Sequence, residues 1–149
     1  MPNPKKTRKV QFFPKVNCFV PLSPDAQDRE PVILKLEEME AVRLKDLVGL
    51  DQEACAREMD ISRQTFQLIL DQARSKMAQA LCQGLPLRIL GGDYVTPICR
   101  FVCADCGQEY DIRYAKDRQR CPHCASPNVY CPKKAEICRS WCPSPEKLH

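Results

Sequence analysis

The sequence predicts a mainly α-helical domain of three to four helices built around a helix-turn-helix unit, followed by a small β zinc ribbon. Two observations carry that prediction. Residues 51–81, DQEACAREMDISRQTFQLILDQARSKMAQAL, read as a short helix, a tight turn and a longer helix. That order is the one in which a second helix is offered to a DNA groove. Farther on, Cys103-Ala-Asp-Cys106 and Cys121-Pro-His-Cys124 stand fourteen residues apart, the pattern of a four-thiolate metal site.

Taken in order, residues 1–33 form a proline-rich arm. Six prolines fall within the first 35 residues, and proline both fixes φ and removes a backbone donor, so no long helix fits there. Residues 10–13 and 16–20 are candidate short strands or packing segments. The arm holds Lys5, Lys6, Arg8, Lys9 and Lys15 with no acid before residue 25. Such a segment can lie along phosphates or enter a minor groove; the alternative is a solvated, disordered tail. Phe12, Phe13 and Phe19 favour packing for the part after Lys9, since a disordered tail carries few aromatics.

Residues 34–84 form the helix-turn-helix domain. Its first helix covers LKLEEMEAVRLKDLVGL, with Glu37, Glu38 and Glu40 in the opening turns, where the helix dipole favours acids, and Gly49 as the stop. The apolar residues of this helix spread over more than one face, as expected for a helix covered on two sides. Asp51 is the N-cap of the next helix and Ser62 that of the helix over 62–81. Asp60 sits where the turn needs a positive φ, which Asp tolerates better than most residues. Cys55, Met59, Ile61 and Phe66 are the expected core, with Ala56 small enough for close approach of the helices. Ile69, Leu70, Ala73, Met77 and Leu81 continue the apolar stripe at helical spacing. The opposite face carries Gln64, Gln67, Leu68, Asp71 and Ser75, flanked by Arg63 and Arg74.

Here the residues carry a resemblance. The stretch EAVRLKDLVGLDQEACAREMDISRQTFQLILDQARSKMAQAL resembles the fourth region of bacterial sigma factors, the part that reads an upstream promoter element. More closely, the chain resembles a prokaryotic family of short proteins predicted to bind DNA, uncharacterised protein family 0251 (domain of unknown function 134). The pieces that match are the FxP-type segment of the arm, LEEMEAVRLKDLVGL, the SRQTF opening of the second helix, LRILGG after it, and the cysteine pairs; together they cover roughly residues 5–125. The resemblance implies sequence-specific DNA binding and transcriptional regulation. Leu68 and Asp71 depart from the basic face expected of such a helix.

Gly84 is the expected left-handed cap of the long helix, with Pro86 preventing continuation. Residues 85–98 read as a linker in which LRILGGDYVTPI forms a strand, a Gly-Gly turn and a second strand. The zinc ribbon occupies residues 99–130. Each CxxC pair sets two thiolates one turn apart with backbone N–H groups aimed at sulfur, so Cys103, Cys106, Cys121 and Cys124 are the expected ligands of one structural Zn2+. His123 is expected to face solvent. The tail, residues 131–149, adds Cys131, Cys138 and Cys142. Together with Cys99 or His149 these form a candidate second metal or iron–sulfur site, although their spacing matches no ferredoxin pattern; the alternative is free thiols.

The charge is segregated. Residues 25–60 hold eleven acids against five bases, whereas the arm, the 61–83 helix and the C-terminal part are each net basic. That polarity suits a nucleic-acid binder whose acidic side faces away from the ligand. No run of about eighteen apolar residues exists to span a membrane. The N-terminus lacks the apolar stretch of a secretory signal. Eleven cysteines without such a signal point to metal ligation in a reducing cytoplasm.

The expected partner is double-stranded DNA, with helix 62–81 in the major groove. Arg63, Gln64 and Gln67 are the expected base-reading residues. Thr65, Arg74, Lys5, Lys6, Arg8 and Lys9 are the expected phosphate contacts. A homodimer would supply the specificity that a single unit lacks. Two alternatives stay open: a sigma-like module docking on RNA polymerase or another protein, and a metal- or redox-responsive regulator using the tail cysteines. An enzyme is not expected, because neither of the two histidines stands near a nucleophile or a carboxylate pair.

Overall fold

The computed structural model describes residues 6–95 and 100–132. The chain divides into two units. One, the helical unit, is Arg8–Gly92; the other, the ribbon unit, joins residues 1–7 to residues 93–149.

In the helical unit, α1 (Leu36–Val42) runs on as a wider π turn over Arg43–Val48, which ends at Gly49 with φ 87°. The N–H of Gly49 and that of Leu50 both reach the Leu44 carbonyl, at 3.2 and 3.0 Å. The wider turn re-phases the helix, so Leu44 is buried while Leu47 is 81% exposed. α2 (Gln52–Glu58) begins where Asp51 accepts the Ala54 N–H at 2.8 Å. α3 (Arg63–Gln83) begins where Ser62 accepts the Thr65 N–H at 3.1 Å, and it ends at Gly84 with φ 62°. Asp60, with φ 54°, makes the turn between α2 and α3. These caps and turns stand at the residues that the sequence indicates.

The core of the unit packs Ala41 and Leu44 against Cys55, Ala56, Met59, Phe66, Ile69 and Leu70. Phe66 is fully buried at its centre, a burial worth about 1.5–3 kcal/mol relative to exposure. The apolar stripe of α3 stops short of its expected length: Ala80 is buried, but Leu81 is 87% exposed. Leu81 lies one residue, about 100°, round the helix from Ala80 and faces away from the core. Arg29 covers the end of α3, donating to the Gly84 carbonyl at 3.2 Å and to Asp25 at 2.9 Å.

The arm packs chiefly around Lys9 and Val10, and the packing expected of its phenylalanines is corrected: Phe12 is 46% and Phe19 56% exposed, with Phe13 half-buried. The Lys9 N–H bonds the Met59 carbonyl at 2.8 Å, Val10 is fully buried, and Gln11 bonds Glu58 at 3.0 Å. The Arg43 guanidinium lies over the Phe12 ring, 5.4 Å from its centroid. Three short strands then form a sheet: β1 (Cys18–Phe19), β2 (Val32–Leu34) and β3 (Leu87–Ile89). β3 is central, antiparallel to β1 and parallel to β2, with Leu34 opposite Ile89. The two short strands read on either side of Gly91-Gly92 are found, at Leu87–Ile89 and Tyr94–Val95; the first of them pairs with strands that precede the helices. The Gly91 carbonyl accepts the Leu36 N–H at 3.0 Å, fixing the start of α1.

The three acids of α1 are buried rather than solvated: Glu37 is 3% exposed, Glu38 2% and Glu40 0%. Glu38 pairs with Lys76 of α3 at 2.8 Å, and Glu40 pairs with Arg43.

The ribbon unit has its own sheet of β4 (Arg100–Cys103), β5 (Glu109–Asp111) and β6 (Val129–Tyr130), all antiparallel, with β4 in the middle. Phe101, Tyr110, Ile112 and Val129 form its core with Cys103 and Cys121. The buried Asp117 carboxylate accepts the backbone N–H groups of Arg113 and Tyr114, each at 3.0 Å, while the Tyr110 hydroxyl donates to the Asp117 carbonyl at 2.6 Å. Lys6 and Thr7 are stitched here. Lys6 pairs with Tyr114 in an antiparallel bridge, and both the N–H and the hydroxyl of Thr7 reach the Arg113 carbonyl.

The expectation of a mainly α fold is thus wrong. Helices take 39% of the structure and strands 20%, so the fold is mixed α/β. The helices are legible from their caps and period, whereas strands of two to four residues are too short to show an alternation.

Candidate functional site

The ribbon places its cysteines by repeating one local device. In the first loop the Gly107 N–H returns to the Cys103 carbonyl at 2.9 Å, and the Cys103 N–H bonds the Gln108 carbonyl at 3.0 Å. In the second, the Ala125 N–H returns to the Cys121 carbonyl at 2.9 Å, and the Cys121 N–H bonds the Ser126 carbonyl at 2.9 Å. Both loops need a left-handed residue after their second cysteine: Gly107 at φ 75° and Ala125 at φ 61°. Glycine takes that conformation freely, while for an L residue it costs about 1–2 kcal/mol. Replacement of Ala125 by Gly is therefore expected to tighten metal binding by the ribbon several-fold, read by competition against a chelator of known affinity.

The result brings together all four predicted ligands. The sulfurs of Cys103, Cys106, Cys121 and Cys124 lie within 4.8 Å of one another. Cys103 Sγ is 3.6 Å from Cys124 Sγ, and Cys106 Sγ is 3.7 Å from Cys121 Sγ. These separations are far longer than a disulfide bond of about 2.05 Å. The backbone N–H groups of Cys106 and His123 point at the sulfurs of Cys103 and Cys121, at 3.5 and 3.4 Å. The Cys106 N–H, with that of Asp105, helps lower the Cys103 thiol to about 7. At Cys124 the Ser126 N–H acts in the same direction, but desolvation and the three neighbouring thiols outweigh it and push that thiol up to about 12. Four thiolates so close repel one another unless a cation sits among them, so the donor set fits a metal ion. His123 is exposed and contributes its backbone N–H.

A clasp that the sequence does not reveal links the two loops. Asp105 of the first accepts from the Ser126 hydroxyl and, at 3.1 Å, from the Asn128 amide of the second. These bonds hold its carboxyl below the usual range. Of the suggested second site, Cys131 is half-buried against the ribbon core. Cys99, Cys138 and Cys142 lie outside the described residues, as do Lys5 and His149.

The other candidate surface is the first half of α3. Arg63 and Gln64 are exposed, Gln67 is half-buried, and Leu68 is 63% exposed. Thr65 is half-buried and its hydroxyl accepts from that of Ser62 at 2.9 Å. Arg74 forms a two-point ion pair with Asp46, at 2.6 and 3.2 Å. Its guanidinium bonds hold the Asp46 carboxyl below the usual range. In the arm, Lys6 is exposed on the ribbon unit, while Arg8 and Lys9 are half-buried on the helical unit. Gln52, which sequence reasoning missed, bonds both Arg63 and Gln67. The available signal was its place as the first residue of α2, beside the start of α3. No helix among the described residues is long and apolar enough to cross a membrane.

A helix-turn-helix unit joined to a four-cysteine ribbon defines a two-part class of protein, and comparison with known sequences gives the family. The family model described as "Protein of unknown function DUF134" matches residues 1–97. A UPF0251 protein of Clostridium botulinum (strain Loch Maree / Type A3) is 52% identical over 142 residues, covering 95% of this chain and 90% of the relative. A UPF0251 protein of Clostridium tetani (strain Massachusetts / E88) is 49% identical over 142 residues, covering 95% of this chain and 97% of the relative. The chain belongs to this family. No solved structure matches it.

Proposed function

We propose that the protein is a cytoplasmic, sequence-specific DNA-binding protein that regulates transcription, with α3 entering the major groove and a structural zinc ion holding the ribbon. The observation that carries the reading is the exposed start of α3. Its N-terminal turn is capped by Ser62, and Arg63 and Gln64 are exposed there, with Gln67 half-buried one turn on. Arginine suits guanine and glutamine suits adenine at base edges. For the ribbon, a tetrahedron of sulfurs with metal bonds of about 2.3 Å has edges of about 3.8 Å, close to the 3.6 and 3.7 Å separations of the sulfur pairs. An all-thiolate set with no open position favours structural zinc.

Selection of bound duplexes from a random pool tests the reading. The wild-type protein is expected to enrich a defined sequence, and Gln64→Ala with Gln67→Ala to relax that preference while leaving the salt slope of binding unchanged. Neutralising Lys5, Lys6, Arg8 and Lys9 is expected to lower the slope, by about 0.9 for each phosphate that no longer meets a cation. Failure of the wild-type protein to enrich any duplex overturns the proposal. A second reading, docking on RNA polymerase or another protein, draws support from Leu68, an apolar side chain 63% exposed in the middle of the same face. Capture of one specific protein by a chain that shifts no duplex would favour it.

A further inference from the structure

Four polar side chains form a relay along the face assigned above to base reading. The Arg63 Nε–H donates to Gln52 Oε1 at 3.0 Å, Gln52 Nε2 donates to Gln67 Oε1, and Gln67 Nε2 donates to Asp71 Oδ1 at 2.7 Å. The two ends of the relay fix its direction. A guanidinium can only donate, so the oxygen of the Gln52 amide must face Arg63 and its nitrogen must face Gln67. A carboxylate can only accept, so the nitrogen of Gln67 must face Asp71 and its oxygen must face Gln52. Both ends demand the same orientation. Turning either amide over would set donor against donor or acceptor against acceptor.

We infer that Gln52 and Asp71 are positioning residues that fix the Gln67 amide and so decide which base edge Gln67 reads. This inference rests on the DNA-binding reading. After the relay is satisfied, Gln67 keeps one amide hydrogen and one carbonyl lone pair. A donor and an acceptor side by side match the N7 acceptor and N6 donor of adenine in the major groove. Gln64, exposed and outside the relay, has no such constraint in the free protein. Asp71, an acid on a surface meant for phosphates, thereby has a function: it terminates the relay. Holding Gln67 in advance also removes the ordering of one flexible side chain from the binding step.

The test uses the full-length protein and duplex selection, with Gln52→Met, a neutral change of similar size that breaks both of its bonds, and Gln52→Glu. The Glu variant can still accept from Arg63 but cannot donate to Gln67, so Gln67 then lies between two carboxylates, and whichever way its amide turns one acceptor faces another; its orientation is no longer fixed. Gln52→Met is expected to lose roughly tenfold of the discrimination at a single base pair, with its salt slope and thermal midpoint close to those of the wild type. Gln52→Glu is expected to lose the adenine preference at that same pair. A side-chain amide spectrum of the free proteins supplies a readout without DNA: the Gln67 NH2 signals are expected to shift in both variants. If the wild type enriches a sequence and both folded variants enrich it equally well, the inference is overturned and the DNA reading stands. If the wild type enriches nothing, both fall.

Discussion

Stripping the metal from the ribbon is expected to abolish its fold and leave the helical unit intact. Its sheet has three strands, of four, three and two residues, and two of its core residues, Cys103 and Cys121, belong to the four-cysteine set that could hold the ion. Apparent binding energies for structural zinc in small domains, about 10–16 kcal/mol near neutral pH, are in effect folding energies. A chelator should therefore collapse the dispersed amide signals of Phe101, Tyr110 and Val129 while the far-ultraviolet helical signal persists. Cys106→Ser should act in the same direction. The sign with pH follows from the thiols. Cys124, pushed up to about 12 in the ion's absence, is a thiolate near neutrality only when a cation offsets its neighbours. Acid then competes with the ion for sulfur, so the ribbon is lost as pH falls and regained as it rises. A ribbon whose spectrum survives removal of the ion would count against a structural metal.

Gly92→Ala is expected to destabilise the helical unit by about 2–4 kcal/mol, from backbone strain and overpacking together. Gly92 has φ 117°, and a Cβ placed there overlaps the Glu37 carboxylate, with Cδ only 2.9 Å away. Glu37 is 3% exposed on α1, so its carboxylate has to shift within a buried site to admit the new methyl group. Gly91 is the control. At φ 71° with nothing within 4 Å of its Cβ, Gly91→Ala should cost only the strain, about 1–2 kcal/mol. Urea unfolding followed by helical circular dichroism separates the two. Equal midpoints for both variants would show that the Glu37 contact is unimportant.

What the sequence made legible was local. Asp51, Ser62, Gly49, Gly84 and Asp60 act within about one turn of themselves, and each does in the structure what its residue type suggests. The cysteine loops are equally local, each closing over five residues, and the fourteen-residue spacer suffices to bring them together. Distant pairing was not legible. β3 finds its partners some 55 and 70 residues earlier in the chain, and nothing in LRILGG says which strands those are. Asp46 and Arg74 stand 28 residues apart, so an arginine that reads as a free phosphate contact is found in an ion pair. The burial of the α1 acids was not legible for the same reason: their place at a helix start explains their charge, but only the fold supplies Lys76 and covers them. Gln52 reads as an ordinary first-turn residue until the α2–α3 crossing brings it to Arg63 and Gln67.

The central claim is that the start of α3 meets a duplex. The most direct measurement is an amide chemical-shift map of the full-length, metal-loaded protein titrated with a duplex enriched from the random pool. The largest shifts are expected at Ser62–Asp71 and at the Gln52, Gln64 and Gln67 side chains, with the buried core at Phe66 and Leu70 shifting less. Shifts confined to other surfaces, with the Gln64 and Gln67 signals unmoved at saturating duplex, would contradict the claim.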